Sequence, residues 1–139
     1  LWEDIGDTEP VSVERVAEDA WSRVNTRDAA LTVESVGEVS ADEGRLASVF
    51  ENLFRNAVEH GGGDVAITVG SLPSGFYVAD DGPGIPDAGS PELFEWGNTT
   101  EDDGSGLGLA IVSTVAEAHG WAVTATESTD GGARFEFET

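Results

Sequence analysis

Apolar residues recur along this 139-residue chain with two periods, one helical and one of strands. Val13, Val16, Ala17, Ala20, Trp21 and Val24 fall at i, i+3, i+4, i+7, i+8 and i+11, which predicts a helix over Ser12–Asn25 with Ser12 as its cap. Leu31, Val33 and Ser35 then alternate with polar neighbours, a strand pattern. A second helix follows. Ser40 and Glu43 read as a capping box, Leu46, Val49, Phe50, Leu53 and Ala57 form one stripe, and Gly61–Gly63 end it. Val65, Ile67 and Val69 alternate again, and Phe76–Asp80 forms the next strand, with Gly70–Gly75 read as the connection. Turn formers crowd Asp81–Ser105. A third helix over Gly106–His119 turns Leu109, Val112, Val115 and Ala116 inward and stops at Gly120. Ala122–Ser128, an Asp130-Gly131 turn and Ala133–Glu138 close the chain as a hairpin.

Helices and strands do not alternate strictly in this order. That predicts an α+β domain, one sheet covered by helices on one face. Leu1–Pro10 is polar and acidic and reads as a leader or linker, leaving residues 11–139 as the domain. The hydrophobic fraction of 39% suffices for one core. Without cysteine there is no disulfide or thiolate chemistry. No apolar run reaches the ~18 residues of a membrane span. Methionine is absent, the initiator included, so the chain reads as a piece of a longer protein that could itself be membrane-anchored.

Charge sharpens the picture. Six basic residues, all arginine, face 28 acidic ones, for a net charge of −22. Such a surface repels nucleic acid and anionic lipid, which need clustered Lys and Arg. The acids are scattered through every segment, which suits solvation in concentrated salt better than one basic partner and resembles the proteins of extreme halophiles.

Three constellations carry chemistry. Asn52 and Asn56 lie at i and i+4 on the second helix and share a face flanking the apolar stripe. An amide carbonyl is a hard oxygen ligand suited to Mg²⁺, although two solvated amides fit the same spacing. Asp80-Asp81-Gly82-Pro83-Gly84-Ile85-Pro86 directly follows a strand. A carboxylate there would accept hydrogen bonds from an exocyclic amine such as adenine's, while Gly82 and Gly84 permit close backbone approach to a flat ligand. An ordinary Gly-Pro turn reads the same way. Gly104-Ser105-Gly106-Leu107-Gly108-Leu109 opens a helix, where free amides favour phosphate. It follows no strand and lacks the Lys-Ser/Thr of a P-loop, so neither common nucleotide-binding fold is indicated.

Together these segments resemble the asparagine box and the two glycine boxes of the histidine kinase ATPase domain, in the superfamily that includes gyrase, chaperone and mismatch-repair ATPases. Leu93-Phe94-Glu95, between the glycine boxes, is similar to the family's phenylalanine box. The resemblance runs from Ser12 to Phe137. It implies a two-layer α/β sandwich of the Bergerat type, a mixed, mostly antiparallel sheet with about three helices on one face. It implies ATP and Mg²⁺ as cofactors, with Asn56 on the metal and Asn52 near the phosphates. Asp80 would bind the adenine amine, and Gly82, Gly84 and Ile85 would shape the base pocket. Gly104, Ser105, Gly106, Leu107 and Gly108 would meet phosphate and hinge the lid, with Phe94 anchoring its near end. His60 lies close enough to the asparagine face to touch phosphate or lid. The activity implied is transfer of the γ-phosphoryl group to a histidine on a separate dimerisation domain, the leader joining the two, with a response regulator receiver domain as next acceptor. The location implied is cytoplasmic, without direct membrane contact and without nucleic acid, in a sensor kinase of haloarchaeal type.

Position 52 separates branches of the superfamily: the ATPases usually place a water-activating Glu there, and Asn52 cannot be a general base. A degenerate, non-catalytic signalling scaffold is the other alternative, because the sequence departs from the pattern. Glu59 stands where the family often has a basic residue, and the lid Glu95–Asp103 contains no cation. Arg55 reads as a solvated arginine roughly opposite the core stripe. His60 and His119, each followed by Gly at a helix end, lack the acidic neighbour of the family's acceptor motif. Of the four tryptophans, Trp2, Trp21 and Trp121 read as packing, and Trp96 falls in the lid.

Overall fold

A computed structural model describes residues 8–24, 28–34, 36–61, 64–82, 105–127 and 132–139, with the backbone alone for 60, 61, 105–109 and 127. In chain order the elements are β1 (Glu9–Ser12), α1 (Val13–Trp21), β2 (Ala30–Val33), β3 (Glu38–Ala41), α2 (Glu43–Gly61), β4 (Ala66–Leu72), β5 (Gly75–Asp80), α3 (Ser105–His119), β6 (Ala122–Glu127) and β7 (Ala133–Glu138). The main sheet has five strands in the order β2-β4-β5-β7-β6. β2 pairs with β4 in parallel and every other neighbour is antiparallel. The three helices cover one face, which is the two-layer α+β sandwich expected.

Strand alternation makes the sheet two-sided. Ile67, Val69, Phe76, Val78, Phe135 and Phe137 point to the helices and are buried. On the opposite face the Tyr77 ring lies over Gly70, where a Cβ would strike it. The Arg134 guanidinium caps that ring at 4.0 Å, and the phenol donates to Glu34 at 3.1 Å.

Aromatic rings join the layers. Phe76 stacks on Phe137 at 4.7 Å and tilts against Phe50 of α2 at 5.6 Å. Phe50 stacks on Phe54, whose other neighbour is the edge of Trp21 from α1. Phe54 and Val58 are buried outside the expected stripe, because α2 is the middle helix and packs on α1, α3 and the sheet at once.

Local structure departs from the sequence reading in several places. α2 is capped by Asp42, whose Oδ1 accepts the Arg45 N–H at 3.2 Å, and not by a Ser40–Glu43 box. Ser40 instead belongs to β3, which pairs with β1 in a separate two-stranded antiparallel sheet that the sequence did not signal. β1 takes in Glu9 and Pro10. The segment 70–75 is mostly strand, and only Pro73-Ser74 turns. α1 stops at Trp21, where Ser22 turns its hydroxyl back to the Asp19 carbonyl. Among the described residues no helix is long and apolar enough to cross a membrane.

Candidate functional site

Packing carries the described parts of the motifs toward one end of the sandwich. His119, the last residue of α3, accepts the backbone N–H of Asp42 through Nε2 at 3.1 Å, just ahead of α2. The C-terminus of α3 is therefore pinned at the N-terminus of α2, and the two helices pack along each other. The 15 residues of α3 span about 22 Å. Its first turn, Ser105–Gly108, thus returns alongside the later turns of α2, near Asn56. β5 runs the same way. Its Phe76 meets Trp121, just after α3, and the strand then leads about 13 Å away to Asp80.

Asp80 ends the strand on the helix-covered side. Its Oδ1 accepts the Gly82 N–H at 2.9 Å and the Ala133 N–H at 3.2 Å. Burial pushes this carboxyl above its ordinary range, and the neighbouring Asp81 charge adds to the rise, while the two backbone bonds oppose it. Asp81 has a different task. Its Oδ1 accepts the Ala66 N–H at 2.9 Å, tying the end of β5 to the start of β4.

Gly132 was missed by the sequence reading. A Cβ there would collide with the Asp80 backbone oxygen and carboxylate, so only glycine lets β7 begin against Asp80. The available signal was a second glycine following Asp130-Gly131, one more than a two-residue turn requires.

On α2, Asn52 donates from Nδ2 to the Ser48 carbonyl at 2.7 Å, which turns its Oδ1 outward. That oxygen accepts from Arg55 Nη1 at 3.4 Å. Arg55 is exposed, yet it reaches back over the amide face instead of into open solvent. Asn56 is half-buried, and no hydrogen bond to its amide is found among the described residues. A neutral carbonyl oxygen beside a helix N-terminus suits a hard cation that also carries phosphate oxygens.

Ser105–Gly108 form the first turn of α3, whose leading amides have no partner inside the helix. Gly84, Ile85, Phe94, Trp96 and Gly104 lie outside the described residues, as does the side chain of His60.

His119 does more than sit at a helix end. With Nε2 accepting, Nδ1 carries the proton and lies 2.8 Å from the Val115 carbonyl, and the ring packs on Trp121 at 4.4 Å. His119→Ala strands the Asp42 N–H and should lower stability by about 1–2 kcal/mol. His119→Gln, with one acceptor and one donor on its amide, should recover most of that loss in denaturant midpoints. Equal midpoints for Ala and Gln would show that the hydrogen bonds are not what matters.

The model of the family described as histidine kinase-, DNA gyrase B-, and HSP90-like ATPases matches residues 41–139, which hold all of these motifs. The chain belongs to this family. Within it, sensor histidine kinases are similar relatives. The histidine-protein kinase AfsQ2 of Streptomyces coelicolor is 37% identical over 101 residues, covering 68% of this chain and 19% of that protein. ZraS of Salmonella typhi is 36% identical over 130 residues, covering 89% of this chain and 28% of that kinase. The chain therefore spans well under half the length of these relatives. Among solved structures, the mycobacterial sensor histidine kinase MprB superposes with a TM-score of 0.78 at 26% identity, over 94% of this chain and 95% of that one. Full-length ShkA, solved in complex with AMPPNP, gives a TM-score of 0.71 at 34% identity, over 95% of this chain and 30% of that one. The named source organisms of these relatives are bacteria, so the expectation of a haloarchaeal type gains no support and rests on charge alone.

Proposed function

We propose that this member of the family is the ATP-binding catalytic domain of a two-component sensor histidine kinase. It transfers the γ-phosphoryl group of ATP to an imidazole nitrogen on a separate, histidine-bearing dimerisation domain, and a response regulator receiver domain takes the phosphate next. What supports the reading is that α3, pinned by His119 at the start of α2, packs along the helix that carries Asn52 and Asn56, while β5 leads to Asp80, held by the amides of Gly82 and Ala133. Mg²⁺ bound with the nucleotide would neutralise charge on the phosphates. Asn56 would hold the ion through its amide oxygen, and the α3 amides would face phosphate. Asp80, fixed through Oδ1, would accept from the adenine amine. Gly82, Gly84 and Ile85 would line the base, and Phe94, Gly104 and His60 would border the lid.

Asn52 supports transfer over hydrolysis. Its Nδ2 is held on the Ser48 carbonyl, and an amide takes no proton from water. Incubating the chain with radiolabelled ATP, alone and with the parent's helical histidine domain, tests the proposal. Acid-labile, base-stable label should appear on the added domain and not on the chain itself. Fast hydrolysis by the chain alone would favour the ATPase reading. ATP binding with no transfer would favour a signalling scaffold.

The base assignment has its own test. Asp80→Asn places an NH₂ where an acceptor is needed, and ATP affinity should fall about tenfold or more. The pH dependence follows from the raised Asp80 pKa. In the fold this group keeps its proton to higher pH than in the unfolded chain. Its own contribution to stability is therefore full below the unfolded pKa and is lost as pH rises through the folded one. Nucleotide binding runs oppositely, because the acceptor is the ionised form. Affinity should drop on acidification earlier than for an ordinary carboxylate, and calorimetric titration should find that acid limb missing in Asp80→Asn. ATP and GTP binding equally well would refute the assignment.

A further inference from the structure

Arginine is scarce in this chain, and where each one goes is informative. Arg15 pairs with Glu43 at 3.0 Å, Arg23 with Glu51 at 3.2 Å, and Arg134 with Glu136 at 2.7 Å. Arg45 lies 4.0 Å from its capping Asp42. Among the described residues Arg55 alone has no carboxylate partner, although 28 acids surround six bases. Glu51 and Glu59 flank it at i−4 and i+4, within ordinary reach of a helical arginine. Glu51 is held by Arg23. Arg55 turns to a neutral group instead, the outward Oδ1 of Asn52, and at 3.4 Å that bond is long and easily exchanged.

Position compounds the point. No Lys or Arg occurs between Arg55 and Arg134, and Arg134 sits on the open face of the sheet over Tyr77. The other nucleotide motifs contain no Lys or Arg in their sequence, and neither does the lid Glu95–Asp103. A triphosphate entering a domain of net charge −22 meets strong repulsion. Among the described residues Arg55 is the one guanidinium that contacts the amide face, through Asn52, one residue before the proposed metal ligand.

We propose that Arg55 is the residue that binds the terminal phosphates of the nucleotide, exchanging its bond to Asn52 for phosphate oxygens. A guanidinium offers a planar fork that suits a phosphate edge, and a phosphate is a far stronger acceptor than an amide. This rests on the reading of the site as an ATP site and deepens it: Arg55 is what distinguishes ATP from shorter adenine ligands.

Calorimetric titration of adenosine, ADP and ATP, with Mg²⁺, into the wild-type chain, Arg55→Ala and Arg55→Lys provides the test. Arg55→Ala should weaken ATP about 10- to 100-fold, weaken ADP less and leave adenosine unchanged. Arg55→Lys should retain part of the ATP preference. Thermal melting should place both variants at the wild-type midpoint, since Arg55 is exposed. Unchanged ATP affinity in Arg55→Ala overturns the proposal while leaving the ATP site standing. Equal losses for all three ligands overturn it too, because they would mark a general role in α2. A wild-type chain that binds none of the three overturns the ATP site and this proposal together.

Discussion

Asn56→Ala should abolish phosphoryl transfer to the histidine-bearing domain, by about 10²-fold or more, and leave the fold intact. Two observations set these expectations. The Asn56 amide is half-buried on α2 and engages no described residue, so its removal breaks no hydrogen bond among the described residues. The side chains that fill the core around it, Leu53, Phe54, Ala57 and Val58, stay in place. Alanine also suits a helix interior better than asparagine. Melting temperature should thus hold or rise slightly while transfer disappears. Single-turnover labelling with the separate histidine domain, beside a thermal melt, reads both quantities. Transfer surviving at the wild-type rate would remove Asn56 from the metal site. Loss of transfer together with collapse of the melt would make its role structural instead.

How much of this was legible in the sequence depended on whether the signal was local. The stripe of α1 through Ala20, that of α3 at Val112, Val115 and Ala116, and the alternation of β4 and β7 are each written within a few residues, and they appear where expected. Elements stabilised by distant partners were not legible. β1 and β3 pair Val11 with Val39 across a helix and a strand, and neither segment alternates strongly by itself. The cap of α2 was misplaced for a related reason. Ser40 and Glu43 satisfy the local pattern, but Ser40 is held by β1 and the cap falls to Asp42. The Asp42 N–H, which a capping box would satisfy from within α2, is taken by His119 from 77 residues away. At the site, Asn52, Asn56 and Asp80 were named from spacing and chain order. Their common placement follows from packing: His119 on Asp42, Phe76 on Phe50. Of the two backbone donors to Asp80, Gly82 is two residues on, but Ala133, and the Gly132 that lets it approach, lie more than fifty residues further along the chain.

That approach yields the second large effect. Gly75 and Gly132 stand at opposite ends of the β5–β7 pair, and at each a Cβ would run into the backbone of the other strand. At Gly75 the obstacle is the Phe137 carbonyl; at Gly132 it is Asp80, both its carbonyl and its carboxylate. Backbone in mid-sheet cannot swing aside as a flexible side chain does. Either Gly→Ala substitution should therefore lower stability by about 3 kcal/mol, the upper part of the usual range for overpacking. A loss of that size is a large share of a typical domain's stability and is readily measured as a shifted urea midpoint. The two variants should part company on ligand. Gly132→Ala displaces the Asp80 carboxylate from its amide donors, and ATP affinity should fall about 100-fold, measured in the folded population below the midpoint. Gly75→Ala strains the far end of the same ladder and should bind ATP as the wild type does. Gly75 thus serves as a matched control for strain in the sheet. Equal loss of affinity in both would mean that the site merely follows global stability. Full affinity in Gly132→Ala, despite the stability loss, would show that the Gly132 approach does not fix Asp80 for adenine.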